Sequence, residues 1–232
     1  MDKKSPVSIV IPTLNEEANI HELCLRLAKG LASATEKYEL IFVDDHSDDK
    51  TLAEIKAMQH QLPITVLLKK GKPGKSFSIL EGIAAAQYGI IGMIDADLQY
   101  PPEVLPTMIE KITGGGAGLV IGHRRENNSK LTRKIGTWLI YNFLRLLFSV
   151  DADVQSGLKV FKKELAASID PKTLGPWTLD LQLLQNAKRQ KYLIASVDLV
   201  FCKRLHGKSK IHLFRAGSSI VFDALKIKLH RS

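Results

Sequence analysis

Ile90-Ile91-Gly92-Met93-Ile94-Asp95-Ala96-Asp97 is an apolar run that ends in two carboxylates one residue apart. Read as a strand, it turns alternate side chains to one face, so Asp95 and Asp97 point the same way where the chain leaves the sheet. Like charges that close need a positive partner. A divalent cation held by hard oxygen ligands, with a diphosphate on its far side, meets that need and points to an enzyme acting on a nucleotide substrate.

Upstream of this run, strand and helix patterns alternate. Val7-Ser8-Ile9-Val10-Ile11 reads as a strand ended by Pro12, and residues 19–31 place Ile20, Leu23, Leu27 and Leu31 on one helical face. Glu39-Leu40-Ile41-Phe42-Val43 is a second strand, a helix starts near Thr51, and residues 64–68 form a third strand. A Gly/Pro/Lys loop leads into a helix over about residues 76–87. Downstream, Pro101 and Pro102 open another helix, Gly114-Gly115-Gly116 breaks the chain, and Leu119-Val120-Ile121 is a strand. This alternation predicts an α/β fold with a mostly parallel central sheet and helices on both faces. In such sheets ligands bind beyond the carboxyl ends of the strands. Those ends carry Pro12-Thr13-Leu14-Asn15-Glu16, Asp44-Asp45-His46-Ser47 and Asp95-Ala96-Asp97, so the polar residues gather at one rim.

The second half is less regular. Residues 131–149 read as an apolar helix with Asn142, Arg145 and Ser149 in a narrow polar stripe. Residues 154–161 and 193–201 look strand-like, and residues 178–188 helical. From Ile211 onward, His212, Arg215, Ser219, Asp223, Lys226 and His230 recur at helical spacing opposite Phe214, Val221, Phe222, Leu225 and Leu229. The expected organisation is a domain over residues 1–210 followed by a basic amphipathic helix over residues 211–232.

Composition narrows the class. Hydrophobic residues make up 45% and charged residues 25% of the 232, which argues against extensive disorder. The N-terminus has no signal-peptide apolar region, and the longest apolar run, residues 138–150, is too short to span a bilayer. Cys24 and Cys202 sit in apolar surroundings and read as two buried, reduced thiols in a cytosolic protein. The net charge of +9 is local: residues 203–232 hold eight Lys or Arg against Asp223 alone. Such patches attract phosphates. With 6% aromatics and no stacking platform among the basic residues, nucleic acid is excluded as a partner.

Individual motifs carry a bland reading beside a chemical one. Asp44 and Asp45 suit a turn or helix cap, or a carboxylate contact to a base edge or ribose. Gly74-Lys75-Ser76 lacks the glycine five residues earlier that a P-loop needs, since Lys69 stands there, which leaves Lys75 as an electrostatic contact near a helix start. Arg124 and Arg133 flank a polar loop, and guanidinium suits bidentate phosphate contact. The turn at residues 203–210, with Arg204 and Lys210, offers cations and backbone amides to an anion. Asp180 suits helix capping. The terminal helix packs on the domain or meets an anionic membrane surface.

In order along the chain, Ile11-Pro12-Thr13-Leu14-Asn15-Glu16-Glu17, Val43-Asp44-Asp45-His46-Ser47-Asp48-Asp49, Asp95-Ala96-Asp97-Leu98-Gln99-Tyr100-Pro101-Pro102-Glu103, Gly122-His123-Arg124, Asp153-Val154-Gln155-Ser156-Gly157 and the turn at residues 204–210 resemble family-two glycosyltransferases, in particular the dolichol-phosphate mannose synthase-like group. The resemblance implies a nucleotide-diphosphosugar transferase (GT-A, Rossmann-like) fold. It implies that Pro12, Thr13, Asn15, Glu16, Asp44, Asp45, Ser47, Lys75, Asp95 and Ala96 bind the nucleotide sugar, and that Asp95, Asp97 and Gln99 hold Mg²⁺ or Mn²⁺. Arg124, Arg133, Thr137, Arg204 and Lys210 match phosphate-binding positions, with Thr137 where that group commonly has serine. Many members carry transmembrane helices after this domain. Here amphipathic helices or a membrane-anchored partner protein would supply attachment at the cytosolic face.

The chemistry follows from the leaving group. Loss of a nucleoside diphosphate from an anomeric carbon develops negative charge that a metal and arginines stabilise, and in-line attack inverts the configuration. A phosphate monoester acceptor, with a second pKa of about 6, is largely dianionic and needs no general base. An alcohol acceptor needs one, and Asp180 is the candidate beside Asp97. The expected activity is hexose transfer from GDP-mannose or UDP-glucose to a polyprenyl phosphate. The rivals are transfer to a saccharide hydroxyl, a receiver-like signalling domain suggested by Val43-Asp44-Asp45-His46, and a non-catalytic membrane-binding module.

Overall fold

The computed structural model describes residues 5–125, 156–169, 171, 174–175 and 178–204. Arg133, Thr137, the apolar segment 138–150, Lys210 and the helix expected over residues 211–232 lie outside the described residues. The first part of the chain runs β1 (Val7–Thr13), α1 (Glu17–Ala34), β2 (Tyr38–Asp44), α2 (Thr51–Met58), β3 (Ile64–Leu68), α3 (Lys75–Ala85) and β4 (Ile90–Met93). After a 3-10 turn at Pro102–Val104 come α4 (Leu105–Thr113), β5 (Ala117–Arg125), β6 (Lys159–Lys162), α5 (Glu164–Ala167), α6 (Leu179–Arg189) and β7 (Leu193–Val200).

The strands form one seven-stranded sheet in the order β3-β2-β1-β4-β6-β5-β7. β6 alone runs antiparallel to its neighbours β4 and β5, and the other described pairings are parallel. Alternation along the strands feeds two cores. Val10, Ile41, Val43, Ile91, Met93, Ile121 and Phe161 pack with Ile79 and Ile83 of α3 and the leucines of α6 on one face. Ile9, Ile11, Leu40, Phe42 and Val160 pack with Leu23 and Leu27 of α1, Ile55 of α2 and Met108 of α4 on the other. Each buried Leu or Ile contributes about 2 kcal/mol, so covering both faces is what holds the sheet. α3 presses so closely that a Cβ on Gly82 would lie 2.4 Å from Val10 Cγ1.

Two expectations are corrected. β4 ends at Met93, two residues before Asp95, so strand pleating does not align the two acids. They converge because the chain turns over residues 96–98, with Leu98 at φ 59°. Cys202 is exposed rather than buried, because residues 201–204 leave the sheet and run along the rim. Cys24 is buried, and burial pushes its thiol up to about 12. Among the described residues no helix is long and apolar enough to cross a membrane.

Candidate active site

The carboxyl ends of β1, β2 and β4 meet at one rim, as the polar clusters predict. The exit from each strand contains a non-glycine residue in the left-handed region: Asn15 at φ 52°, His46 at φ 65° and Leu98 at φ 59°. Such backbone costs about 1 kcal/mol per residue and persists only where the surroundings over-determine it. Hydrogen bonds between the exits do so. Asn15 N–H donates to Ser47 Oγ at 2.8 Å, and Asp48 N–H donates back to Asn15 Oδ1 at 2.9 Å. Glu16 N–H donates to Thr51 Oγ1 at 2.7 Å, and Glu16 Oε2 accepts from Asn19 Nδ2 at 2.7 Å.

The acids at the end of β2 are engaged in this scaffold. Asp44, buried, accepts from Ser47 N–H at 3.0 Å and Ser47 Oγ at 2.5 Å, with Thr13 Oγ1 at 3.5 Å. Asp45 accepts from Lys69 Nζ and from Gly74 N–H, both at 2.9 Å. Burial alone would raise the Asp45 carboxyl, but the Gly74 amide and the Lys69 ammonium outweigh it and hold the group below its ordinary range. Lys69 also donates to Gly74 O at 2.9 Å, and Gly74 at φ 127° adopts backbone that suits glycine. This clamp fixes the loop that delivers Lys75 to the rim.

At β4, Asp95 forms an ion pair with Lys75, and Asp97 accepts from Arg204 Nη2 at 2.5 Å. Arg204 Nη1 lies 3.9 Å from Glu16 Oε1, so one guanidinium spans the exits of β1 and β4. Burial, and then the neighbouring Asp95 charge, raise the Asp97 carboxyl above its ordinary range even against Arg204. Burial would lower the Lys75 ammonium, but Asp95 and Asp180 draw it upward. Gln99 N–H donates to Asp97 Oδ1 at 3.1 Å. Gln99 also zips to the chain after β7: Cys202 N–H donates to Gln99 O at 2.9 Å, and Gln99 Nε2 donates to Cys202 O at 3.3 Å. Phe201 sits edge-on to Tyr100 with centroids 5.0 Å apart, and the Arg124 guanidinium lies 5.5 Å from the Phe201 ring. Glu103 accepts a two-pronged bond from Arg26, each contact 2.7 Å, which ties the acid-bearing turn to α1.

Two residues in the site are plain only in the fold. Gly157 N–H donates to Tyr100 OH at 2.7 Å, and a Cβ on Gly157 would fall 2.1 Å from Asp95 Oδ2. Only a bare backbone fits against that carboxylate. Lys159, at the start of the reversed strand and 1% exposed, donates to Asp180 Oδ1 at 2.7 Å and to Ser156 O. A lone lysine in a short strand pattern reads as a solvated side chain, and the sequence carries no signal for this pairing. Removing one member of a buried pair leaves a charge uncompensated, so Asp180→Ala is expected to cost about 3 kcal/mol in denaturant unfolding, and Lys159→Met/Asp180→Leu together far less.

The rim therefore presents an acidic pair, three basic side chains (Lys75, Arg124 and Arg204) and a strap of backbone. Among the described residues no group of three or more His, Cys, Asp or Glu is placed to hold a metal ion. Asp95 and Asp97 supply two hard oxygen donors, with Gln99 beside them, which fits a divalent ion whose remaining ligands come from a substrate and water.

The model for the glycosyl transferase family 2 matches residues 8–169, a span from β1 to the helix after β6. The chain belongs to that family. It is 29% identical over 217 residues to the dolichol-phosphate mannosyltransferase of Pyrococcus furiosus, covering 88% of this chain and spanning 59% of that protein's length. The Saccharomyces cerevisiae dolichol-phosphate mannosyltransferase is 27% identical over 215 residues, covering 88% and 80%. A glucosyl-3-phosphoglycerate synthase from Mycobacterium tuberculosis, solved with Mn²⁺, uridine diphosphate and phosphoglyceric acid, superposes with TM-score 0.77 at 22% identity, covering 97% of this chain and 78% of that one. That likeness supports the GT-A fold of family-2 glycosyltransferases.

Proposed function

We propose that this glycosyltransferase moves a hexose from a nucleotide diphosphosugar to a polyprenyl phosphate, with inversion at the anomeric carbon. The observation that carries the reading is the acidic pair Asp95/Asp97 at the rim, each acid held by a cation, in a chain similar to dolichol-phosphate mannosyltransferases. Asp95, Asp97 and Gln99 would hold Mg²⁺ or Mn²⁺. When bound, that ion supplies Lewis-acid stabilisation of the departing diphosphate.

The remaining work falls to the chain. Pro12, Thr13, Asn15, Glu16 and Ser47, with Asp44 and Asp45 as the rim's scaffold, shape the nucleoside pocket; Ala96, buried in the turn between the acids, keeps them close. Lys75, Arg124 and Arg204 face the phosphates, where fixed cations stabilise charge without reorganising. Arg133, Thr137 and Lys210 join this group as proposals from sequence.

The Lys159–Asp180 pair favours a phosphate over an alcohol acceptor. Lys159 already occupies Asp180 Oδ1, and a phosphate dianion needs no carboxylate to take a proton. The lipid acceptor places the reaction at a membrane surface, where the basic segment over residues 203–232 meets anionic headgroups, alone or beside a membrane-anchored partner protein.

Purified protein with Mg²⁺ or Mn²⁺, polyprenyl phosphate in detergent, and GDP-mannose or UDP-glucose is expected to yield a glycolipid, read by mass spectrometry of the lipid fraction. Product formed only with saccharide acceptors would overturn the acceptor assignment.

A further inference from the structure

We propose that Lys75 and Arg204 are placeholder cations: without a metal ion they neutralise Asp95 and Asp97, and an entering ion displaces them toward the anion that accompanies it. This inference rests on the reading of Asp95 and Asp97 as the metal-holding pair.

Each acid already has a cation in hydrogen-bond contact. Lys75 Nζ pairs with Asp95 Oδ1, and Arg204 Nη2 meets Asp97 Oδ2 at 2.5 Å. Both cations are presented by built structure. Lys75 opens α3 directly after the Lys69–Asp45–Gly74 clamp, and Arg204 ends a segment zipped to Gln99 through Cys202. The nearby Asp180 is already bonded to Lys159. Each acid of the pair therefore already has a counter-cation. A divalent ion entering alone meets an ammonium and a guanidinium as competitors and leaves a surplus of positive charge in a largely buried place. A nucleoside diphosphate arriving with the ion removes that surplus, because the displaced cations then face its phosphates. Metal and nucleotide should thus bind with strong mutual coupling, equal in both directions.

Lys75 is the separable half of the pair. Taking its charge away uncovers Asp95 for the ion and removes one cation from the diphosphate. Mn²⁺ binding, followed by the paramagnetic resonance of free Mn²⁺, is compared for wild type, Lys75→Met and Lys75→Gln, with and without UDP or GDP. With no nucleotide, Lys75→Met is expected to bind Mn²⁺ about five- to tenfold more tightly than wild type, the order expected when one competing cation leaves a carboxylate. Nucleotide affinity at saturating Mn²⁺ is expected to fall by a similar factor, so the coupling shrinks on both counts. Lys75→Gln, which retains a hydrogen-bond donor, decides the matter if the methionine variant fails to fold. A purely structural role for Lys75 would lower both affinities or neither. Unchanged or weaker Mn²⁺ binding in folded Lys75 variants overturns the inference, provided Asp97→Asn loses Mn²⁺ binding. Wild-type Mn²⁺ affinity in Asp97→Asn would instead remove the metal reading and this inference with it.

Discussion

Asp97→Asn is expected to reduce turnover by about 10³ while leaving the protein folded. Asparagine keeps the volume of the side chain and an oxygen that can accept from Gln99 N–H, so the turn over residues 96–98 has no steric reason to move. What disappears is the negative charge. In the proposed mechanism that charge anchors the ion stabilising the leaving diphosphate, an effect worth several kcal/mol, and each 1.36 kcal/mol is about tenfold in rate. Stability should change little, since burial already disfavours the ionised form of Asp97. Steady-state rates with saturating donor, beside a thermal melt of the same sample, provide the check. A variant that melts normally and turns over at the wild-type rate would show that Asp97 has no part in the chemistry.

Gly157→Ala is the second large effect, and it arises from a methyl group. Its Cβ would stand 2.1 Å from Asp95 Oδ2, 2.7 Å from Tyr100 Cε2 and 2.8 Å from Asp95 Cγ. Either the Asp95 carboxylate swings away from Lys75, or the strap at residues 156–158 retreats and breaks the Gly157 N–H bond to Tyr100 OH. The first displaces a donor oxygen by roughly 1 Å and the second unseats the strap beside it, and a displacement of that size costs about 10² in rate. Overpacking adds a stability loss of about 2 kcal/mol, measurable by denaturant unfolding. Gly89→Ala is the matched control, because a Cβ there meets nothing within 4 Å. Equal behaviour of the two variants would mean that the strap is not seated on Asp95.

Apolar runs separated by amphipathic helices were enough to define the sheet, because fully buried parallel strands must be near-continuous hydrophobic segments. The rim was legible for a related reason: residues that break such a run in polar clusters have to sit where the strands stop. Other features lie beyond a linear reading. Nothing in Leu98 announces a left-handed backbone, which is imposed by the turn that brings Asp97 back to Arg204. The reversed direction of β6 leaves no local trace, since Lys159-Val160-Phe161 reads the same both ways. Asp44 and Asp45 illustrate a mixed case. The sequence offers a turn or a ligand contact, and the fold shows both acids bonded within the scaffold that shapes the cleft.

The reversed strand also has an architectural meaning. β5 runs out at the rim with Arg125, and β6 starts from the same edge with Lys159, after Gly157 has met Asp95. Whatever the chain does between those two strands, it departs from and re-enters at the mouth of the cleft, and β7 likewise ends there before Arg204. The described ladders of β5, β6 and β7 run through residues outside these excursions. Under the proposed function, exchanging residues 126–155 between relatives is the experiment that asks whether this excursion sets acceptor preference, because both flanking strands open onto the rim.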